Sequence, residues 1–211
     1  MKIGISRLHF PVTTLGPGQR IGIWFQGCSI HCEGCISADT WQFNTNSINI
    51  KEVTNLLKKW LPKCDGITIS GGEPFDQEPA LEELLKFLKP YKLSTLVYSG
   101  YSFQKLKYKK VMQEELIDVL ISEPYDYTKT QTQALLGSDN QQIHFLTDLG
   151  EQSFAKYLDK KPDKKLDMQF DDQILWMAGI PINGMSKITE SFRRNEVEIT
   201  NTQAVIKQNK K

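Results

Sequence analysis

Three of the chain's four cysteines lie within eight consecutive positions, in the stretch WFQGCSIHCEGC at residues 24–35. Cys28, Cys32 and Cys35 have the spacing C-x3-C-x2-C. Thiolates are soft ligands that select zinc, copper(I) or iron–sulfur clusters. The triplet is therefore compatible with three kinds of site: a disulfide staple, a zinc site, or an iron–sulfur cluster that lacks one protein ligand.

A zinc site would require a fourth ligand, since structural zinc is normally held by four side chains in a closed tetrahedron. His31 could supply a nitrogen, but it is adjacent to Cys32, and its ring would tend to point away from a metal held by its neighbour. Cys64 precedes a predicted strand, and we expect it to be a buried, inert thiol. Three thiolates on a four-iron cluster leave one iron open to a small molecule, while the cluster supplies an electron. A cluster is therefore favoured, and a four-thiolate zinc module that includes Cys64 stays open as an alternative.

The composition is that of an ordinary globular protein, with 211 residues, 39% hydrophobic and 24% charged, and a mean hydropathy of −0.40. The net charge of +1 gives no electrostatic indication of a nucleic-acid partner. The sequence contains no run of about 18 apolar residues, the length needed to cross a membrane. The N-terminal apolar run is too short for a signal peptide. We therefore expect a cytoplasmic protein without nucleic-acid or membrane partners. In that reducing compartment a disulfide is the least favoured interpretation of the cysteines.

Short apolar runs alternate with helical patterns along the chain, which indicates βαβ units on a mostly parallel sheet. The apolar runs are continuous, as expected for strands that are covered on both faces. A hairpin and a further helix are predicted toward the C-terminus. The predicted strands lie at 21–26, 66–70, 93–99, 118–122, 142–147, 166–170 and 174–180, and the predicted helices at about 51–61, 79–90, 105–116 and 186–195.

The ends of two predicted strands indicate where a ligand would bind, because open α/β sheets bind ligands outside the carboxyl ends of their strands. The strand at 21–26 is followed by the loop that holds the three cysteines. The strand at 66–70 is followed by the sequence SGGEPFDQ. The edge shared by these two loops is the predicted site.

The cysteine spacing after one strand, with SGGEP at the end of the next, resembles the radical S-adenosylmethionine superfamily. Further segments are similar to the small activating proteins of anaerobic ribonucleotide reductase, which are glycyl radical enzyme activases. These segments are GPGQR at 16–20, FQGC at 25–28, YSGY at 98–101, DVLISEPY at 118–125 and GSDNQQIHFL at 137–146.

The resemblance implies an α/β fold, a partial (β/α) barrel of the radical S-adenosylmethionine type with a mostly parallel sheet and helices outside. It covers residues 14–150 best, and the strands and helix predicted within 160–196 lie beyond that region. We expect one domain over residues 1–196, followed by a polar, disordered tail over 197–211.

The resemblance also implies a set of site residues. Cys28, Cys32 and Cys35 would hold one [4Fe–4S] cluster, and S-adenosylmethionine would bind its fourth iron and be cleaved reductively to a 5′-deoxyadenosyl radical. Glu73 would offer its carboxylate to the ammonium group of the methionine moiety. The remaining expected contacts to this cofactor are Gly71 and Gly72 beside the methionine, Gly34 and Ile36 near the adenine or ribose, and Ser99 with Gly100 either in the cleft or in a simple turn.

Three functions follow from these observations. The first is an activase that generates a glycyl radical on a partner enzyme such as anaerobic ribonucleoside-triphosphate reductase, with a flavodoxin-like electron donor. The chain departs from the family pattern, because Leu15 and Glu33 replace a common acidic residue and a common proline, and GSDNQQ lacks flanking arginines. These departures motivate the second hypothesis, radical modification of a peptide or small molecule. The third is a non-catalytic zinc-binding module.

Overall fold

Two β-sheets, five α-helices and four short 3-10 helices make up the described part of the structure, a computed structural model that describes residues 1–158, 166–170 and 175–179. The strands are β1 (Lys2–Val12), β2 (Arg20–Phe25), β3 (Ser47–Asn49), β4 (Gly66–Gly71), β5 (Ser94–Tyr98), β6 (Val119–Ser122), β7 (Gln142–Phe145), β8 (Leu166–Phe170) and β9 (Leu175–Gly179). The helices are α1 (Ile50–Leu57), α2 (Glu78–Leu88), α3 (Phe103–Leu106), α4 (Lys110–Gln113) and α5 (Asp148–Leu158).

The larger sheet has the strand order β3-β1-β2-β4-β5-β6-β7. Its four central strands, β2, β4, β5 and β6, run parallel to one another. The outer strands β1, β3 and β7 pair antiparallel. The α/β class with a parallel centre is therefore confirmed, and the sheet is consistent with the expected partial barrel.

The predicted strands occur within two residues of their expected bounds, but β1 and the three-residue β3 were not predicted. Only three of the eleven residues of β1, Ile3, Ile5 and Val12, are buried, and the residues between Ile5 and Val12 are a mixture of polar and apolar types that are partly buried or exposed. A strand with so irregular an apolar pattern gives a weak sequence signal. Pairing with β2 on one side and β3 on the other holds it in the sheet.

The helix predicted at 105–116 is wrong, because this segment forms the two short helices α3 and α4. The backbone of Lys109 is extended between them, with φ −67° and ψ 145°. Its Nζ lies 2.6 Å from the Glu78 carboxylate on α2, a contact distant in sequence. The helix α5 was also not predicted, since it buries only Gly150 and Phe154 and shows little apolar periodicity.

One face of the sheet carries the main hydrophobic core beneath α1 and α2. Side chains of β2 and β4, including Ile21, Ile23, Ile67 and Ile69, are fully buried there against Leu81, Leu84 and Leu85 of α2. Burial on both faces explains why these strands read as continuous apolar runs. This packing keeps β2 and β4 adjacent, and so brings the loops that follow them together.

The opposite face of the sheet is covered by α5 and by the β8–β9 hairpin. Arg20 is fully buried on this face, and its guanidinium donates to Ile67 O at 2.6 Å and Ser94 O at 2.8 Å. The Phe154 ring of α5 covers it, with 4.9 Å between Arg20 Cζ and the ring centroid. Burial lowers the pKa of Arg20 to about 10. Uncharged oxygen atoms accept the hydrogen bonds of this cation, and Arg20 thereby joins the amino-terminal ends of β2, β4 and β5.

The predicted C-terminal hairpin is confirmed, since β8 and β9 pair antiparallel with Asp167 opposite Ala178. The helix expected at 186–195 and the tail expected over 197–211 lie outside the described residues. Within the described ranges, the structure contains no helix with the length and apolar character needed to cross a membrane.

Candidate functional site

A cavity of about 950 Å³ opens at the carboxyl ends of the parallel strands. The structure brings all the predicted site residues to its wall. They are Cys28, Cys32, Gly34, Cys35, Ile36, Gly71, Gly72, Glu73, Ser99 and Gly100. Residues separated by up to 72 positions in sequence therefore share one site, as the order of β2, β4 and β5 requires.

The cysteine loop is held in shape by backbone contacts to the segment 38–41. Gly27 N donates to Thr40 O at 2.6 Å, and Cys28 N donates to Trp41 O at 3.1 Å. Gly27 has a φ of +106° and Gly34 a φ of +73°, values that glycine adopts without the steric cost of a side chain. The loop thus has a defined conformation that points its thiols at the cavity.

The three thiols of the loop are free, and burial is the largest cause of a raised pKa at each. The pKa of Cys32 rises to about 11, with the neighbouring Cys35 and Cys28 adding to the effect. Thiols of this kind are protonated at neutral pH, so a metal that binds them must displace protons. Mutually close thiols with this property suit a metal centre better than three independent nucleophiles.

Trp41 provides a further sign that the cysteine loop receives a group with acceptor atoms. Its indole Nε1 is buried and has no acceptor in hydrogen-bonding geometry among the described residues. It lies beside Cys35 and lowers the pKa of that thiol against the effect of burial. The ring of His31 stacks on Trp41 with 4.7 Å between centroids. A thiolate or inorganic sulfide next to Cys35 would satisfy this donor, so the residues fit an iron–sulfur cluster.

A four-thiolate zinc site that includes Cys64 is excluded by the sheet geometry. Cys64 precedes the first residue of β4, whereas the cysteine loop lies at the carboxyl end of the neighbouring β2. Six residues of strand at about 3.3 Å each separate the two ends by about 20 Å. Cys64 is buried and donates to Leu61 O, as expected for an inert thiol. Nowhere in the described ranges do three His, Cys, Asp or Glu side chains converge to hold a single metal ion.

The Gly71–Gly72–Glu73 turn packs directly against the cysteine loop. Glu73 N donates to Gly27 O at 2.8 Å, and Gly72 N donates to Phe25 O at 2.8 Å. A Cβ on Gly72 would overlap the carbonyl oxygen of Gly27. The absence of a side chain at Gly72 therefore allows the Gly71–Gly72–Glu73 turn to contact the cysteine loop.

Glu73 links the ends of β4 and β5 in a way that the sequence did not predict. Its side chain is 1% exposed, and Oε1 accepts from Ser99 Oγ at 2.9 Å and from Phe75 N at 3.0 Å. Oε2 accepts from Gly100 N at 2.8 Å. Burial raises the pKa of Glu73 to about 7, and the three hydrogen bonds oppose that shift. The carboxylate expected to face a ligand ammonium thus also positions the Ser99–Gly100 turn.

Asp76 forms a second link that sequence reasoning missed, although it lies within the quoted SGGEPFDQ segment. Its carboxylate accepts from Ser29 N at 2.8 Å and from Tyr101 OH at 2.5 Å. Ser29 Oγ also lies 2.8 Å from Tyr101 OH. The residue after Cys28 is thereby joined to the turns that follow β4 and β5.

The far wall of the cavity consists of residues that the sequence analysis did not identify. One part comes from the segment after β6, and another from the β1–β2 turn together with the end of β9. These residues include Tyr125, Lys129, Gln131, Leu135, Gly137, Gln141, Thr13, Thr14, Gly16, Gly18 and Gly179. Gly16, Gly18, Tyr125, Gly137 and Gln141 belong to segments that carry the family resemblance. Only the folded chain shows that they and the other far-wall residues share a cavity with the cysteines.

Comparison with known proteins identifies the class to which this site belongs. Residues 14–144 match the family model described as a 4Fe-4S single cluster domain. That match covers more than half of the chain, and the chain belongs to this family of iron–sulfur proteins. The predicted resemblance to the radical S-adenosylmethionine activating proteins is confirmed by the relatives that follow.

The curated relatives include two kinds of activating protein. The chain is 28% identical over 142 residues to the anaerobic ribonucleoside-triphosphate reductase-activating protein of Enterobacteria phage T4, covering 63% of this chain and 88% of that protein. It is 28% identical over 149 residues to the protein of the same name from Escherichia coli K12, covering 65% and 96%. It is 37% identical over 91 residues to the pyruvate formate-lyase-activating enzyme of Staphylococcus epidermidis, covering 40% of this chain but only 36% of that enzyme.

Proposed function

We propose that this chain is a radical S-adenosylmethionine enzyme that generates a glycyl radical on a partner enzyme of the anaerobic ribonucleoside-triphosphate reductase kind. The observation that carries the proposal is the contact of the cysteine loop with the Gly71–Gly72–Glu73 turn, through Glu73 N and Gly27 O, at one cavity. The relatives named as activating proteins of that reductase support the choice of partner.

Cys28, Cys32 and Cys35 are the residues that would hold the [4Fe–4S] cluster. When bound, the cluster supplies the electron that cleaves S-adenosylmethionine to methionine and a 5′-deoxyadenosyl radical. The thiols must first lose their protons, because burial keeps each pKa above its ordinary value. The indole N–H of Trp41 lies beside Cys35, where it would donate to a thiolate or sulfide of the cluster.

The Gly71–Gly72–Glu73 turn would receive the methionine part of S-adenosylmethionine. Its glycines expose backbone polar groups to a ligand, since no Cβ stands in the way. The Glu73 carboxyl group lies at the cavity wall and holds Ser99 and Gly100 in position through hydrogen bonds. Gly34 and Ile36, on the other side of the cysteine loop, line the space proposed for the adenosyl group.

The proposed setting is cytoplasmic, with a flavodoxin-like protein as electron donor. A radical modification of a peptide or small molecule is the second candidate function. It is favoured by one observation, the β8–β9 hairpin at the cavity wall, which lies beyond the matched residues 14–144.

Anaerobic reconstitution followed by two measurements tests the proposal. Protein carrying four iron and four sulfide, reduced with dithionite, should convert S-adenosylmethionine to 5′-deoxyadenosine and methionine. Addition of a purified anaerobic ribonucleotide reductase from the same organism should then give a glycyl radical doublet in the electron paramagnetic resonance spectrum. The Cys32→Ser variant is the matched control. Zinc in place of iron, or intact S-adenosylmethionine after reduction, would refute the enzymatic assignment.

Cleavage without a glycyl radical would instead favour the second candidate. In that case, transfer of deuterium from labelled peptides or metabolites into 5′-deoxyadenosine would identify the hydrogen donor. The two outcomes separate the radical chemistry from the choice of partner.

A further inference from the structure

Trp41 lies outside the cysteine triplet in sequence, but the residues that lead into the triplet fix its position. Cys28 N donates to Trp41 O at 3.1 Å. The side chain of Gln26 is 4% exposed, and its Nε2 donates to Asp39 O at 3.3 Å and to Gln42 O at 2.9 Å. One buried amide therefore binds carbonyl groups on both sides of Trp41. The backbone of Trp41 is thus held against the cysteine loop.

The indole ring of Trp41 is held by a second contact with the same loop. The ring of His31 stacks on it, with 4.7 Å between the centroids and 22° between the ring planes. His31 has a φ of +53°, a backbone conformation that few residues other than glycine adopt. Trp41 also lines the cavity that the cysteines face. The stack on one face and the fixed backbone limit the directions in which the indole N–H can point.

The indole N–H is an unusual group in this fold. Among the described residues, Trp41 Nε1 is the only buried side-chain donor without an acceptor in hydrogen-bonding geometry, since the other buried atom without a partner, Asn140 Oδ1, is an acceptor. A buried donor left without an acceptor is unfavourable, and most folds avoid it. The thiol beside this donor is Cys35. That sulfur accepts more strongly once it has lost its proton and carries negative charge.

The surroundings of Cys35 show how this donor would act on added negative charge. Burial is the largest cause of the raised pKa of this thiol, and the Asp39 carboxylate adds to it more weakly. The backbone of Ser37 and the side chain of Trp41 oppose that shift, because they stabilise the thiolate. A reduced iron–sulfur cluster carries one more negative charge than the oxidised cluster, and hydrogen bonds to its sulfurs are among the factors that set its potential. A donor at this position therefore favours the reduced state.

We propose that the indole N–H of Trp41 raises the reduction potential of the cluster by donating to the sulfur of Cys35, which lets a weaker reductant load the cluster with its electron. The proposal rests on the proposed function, because it requires the cluster that the cysteine triplet would hold. The electron comes from the external reductant, and no covalent bond of Trp41 forms or breaks. Trp41 thus acts on the chemistry through Cys35.

The first test measures the potential in the full-length, anaerobically reconstituted protein. Trp41→Phe keeps an aromatic ring next to His31 but removes the donor, so iron and sulfide content should match wild type. One-electron reduction should become about tenfold less favourable, which corresponds to a potential about 59 mV more negative. Trp60→Phe is the matched control, because Trp60 is partly buried against the main core and stacks on Phe10. Its reduction should stay within about twofold of wild type in a redox titration followed by electron paramagnetic resonance.

His31→Asn separates loss of the donor from disturbance of the loop. Asparagine is among the residues that tolerate a positive φ, and this variant removes the stacked ring while the N–H of Trp41 stays. Its reduction should stay within about twofold of wild type. A shift of equal size in His31→Asn and Trp41→Phe would assign the effect to loop packing and overturn the proposal.

The second test detects the hydrogen bond itself. Protein labelled with ¹⁵N at the indole nitrogen of tryptophan is reconstituted, reduced with dithionite and studied by pulsed electron paramagnetic resonance. A weak ¹⁵N hyperfine coupling to the reduced cluster is expected in wild type and in Trp60→Phe, and it should be absent in Trp41→Phe. A merely structural role for the ring would give no such coupling, and its absence from wild type would overturn the proposal.

The outcomes separate this inference from the proposed function. Loss of the ¹⁵N coupling in Trp41→Phe with an unchanged potential would overturn the inference, since the donor would then not set the potential. In that case, cleavage of S-adenosylmethionine by the wild-type protein would leave the proposed function standing. Both expected effects without any cleavage would support the role of Trp41 and refute the proposed function. Zinc in place of iron would refute both.

Discussion

The two walls of the cavity are built in different ways. The near wall, formed by the cysteine loop and the Gly71–Gly72–Glu73 turn, consists of short motifs joined by backbone hydrogen bonds. In the far wall, Thr13 and Thr14 belong to no motif, and both donate to the carboxylate of Asp167, which lies 154 and 153 positions away in sequence. The near wall lies within the matched residues 14–144, whereas Asp167 and Gly179 lie beyond them. The near wall is therefore part of the region that this chain shares with the iron–sulfur family, whereas this part of the far wall depends on residues outside that region.

The largest expected effect comes from removing a near-wall thiol. Replacing any of Cys28, Cys32 or Cys35 with Ala should abolish the cluster, because only three thiolates are available to hold it, and S-adenosylmethionine cleavage should fall to background. Iron and sulfide analysis with visible absorbance measures the loss. Cys64→Ser, at the opposite end of β4, should keep the cluster. Full iron content in a triplet variant would mean that another residue completes the site.

The next effect tests whether the near wall depends on close backbone contact. Gly72→Ala should destabilise the protein by about 3 kcal/mol, because its Cβ would overlap Gly27 O and neither backbone can move freely. Gly100→Ala is the matched comparison, since its Cβ would meet only the flexible end of Ile30 at 2.7 Å and should cost under about 1 kcal/mol. Urea unfolding of the three proteins measures both values. Equal losses would show that the contact with Gly27 has no special importance.

A smaller, pH-dependent effect is expected at Glu73. Its pKa is raised from 4.5 to about 7, so between these values the folded protein holds a proton that the unfolded chain has released. The contribution of Glu73 to stability therefore declines as the pH rises through that window, by at most about 3 kcal/mol. Glu73→Gln cannot titrate and should lose this part of the pH dependence, whereas Glu83→Gln should keep it. Unfolding free energies at pH 5 and pH 8 provide the measurement; parallel profiles for wild type and Glu73→Gln would contradict it.

The smallest expected effect separates charge from shape at Asp76. Asp76→Asn keeps an acceptor for Ser29 N but removes a negative charge near Cys28, so the reduction potential of the cluster should rise by a few tens of millivolts. Tyr101→Phe removes one hydrogen bond to the same carboxylate and leaves the charge, and should shift the potential less. Redox titration followed by electron paramagnetic resonance distinguishes the variants. An equal shift in both would assign the effect to loop geometry.

These four experiments sharpen the contrast with the far wall. Each near-wall change alters the cluster, the cofactor turn or their stability, whereas Asp167→Ala is expected to leave cluster content and S-adenosylmethionine affinity in place. A near-wall variant that left the cluster, the cofactor turn and their stability unchanged would break the contrast between the two regions.

The sequence by itself determined the parallel centre of the sheet, the edge at which the site lies, and the residues of the near wall. Continuous apolar runs such as 21–26 and 66–70 are local signals of buried strands, and the loops that follow them carry the cysteines and the glycines in fixed spacing. Neighbouring parallel strands end at the same edge of a sheet. The two predicted strands were therefore sufficient to place the cysteine loop beside the Gly71–Gly72–Glu73 turn.

Only the tertiary structure decided the roles of Glu73, Asp76 and Asp167, the break between α3 and α4, and the far wall of the cavity. Asp76 meets Ser29 across 47 positions, and Asp167 meets Thr13 across 154. The sequence around an aspartate looks the same whether its side chain lies in an exposed turn or joins two distant segments. Its role depends on which hydrogen-bond donors the fold brings close to it. Periodicity and spacing report the burial and direction of nearby residues, and they contain no information about such distant pairs.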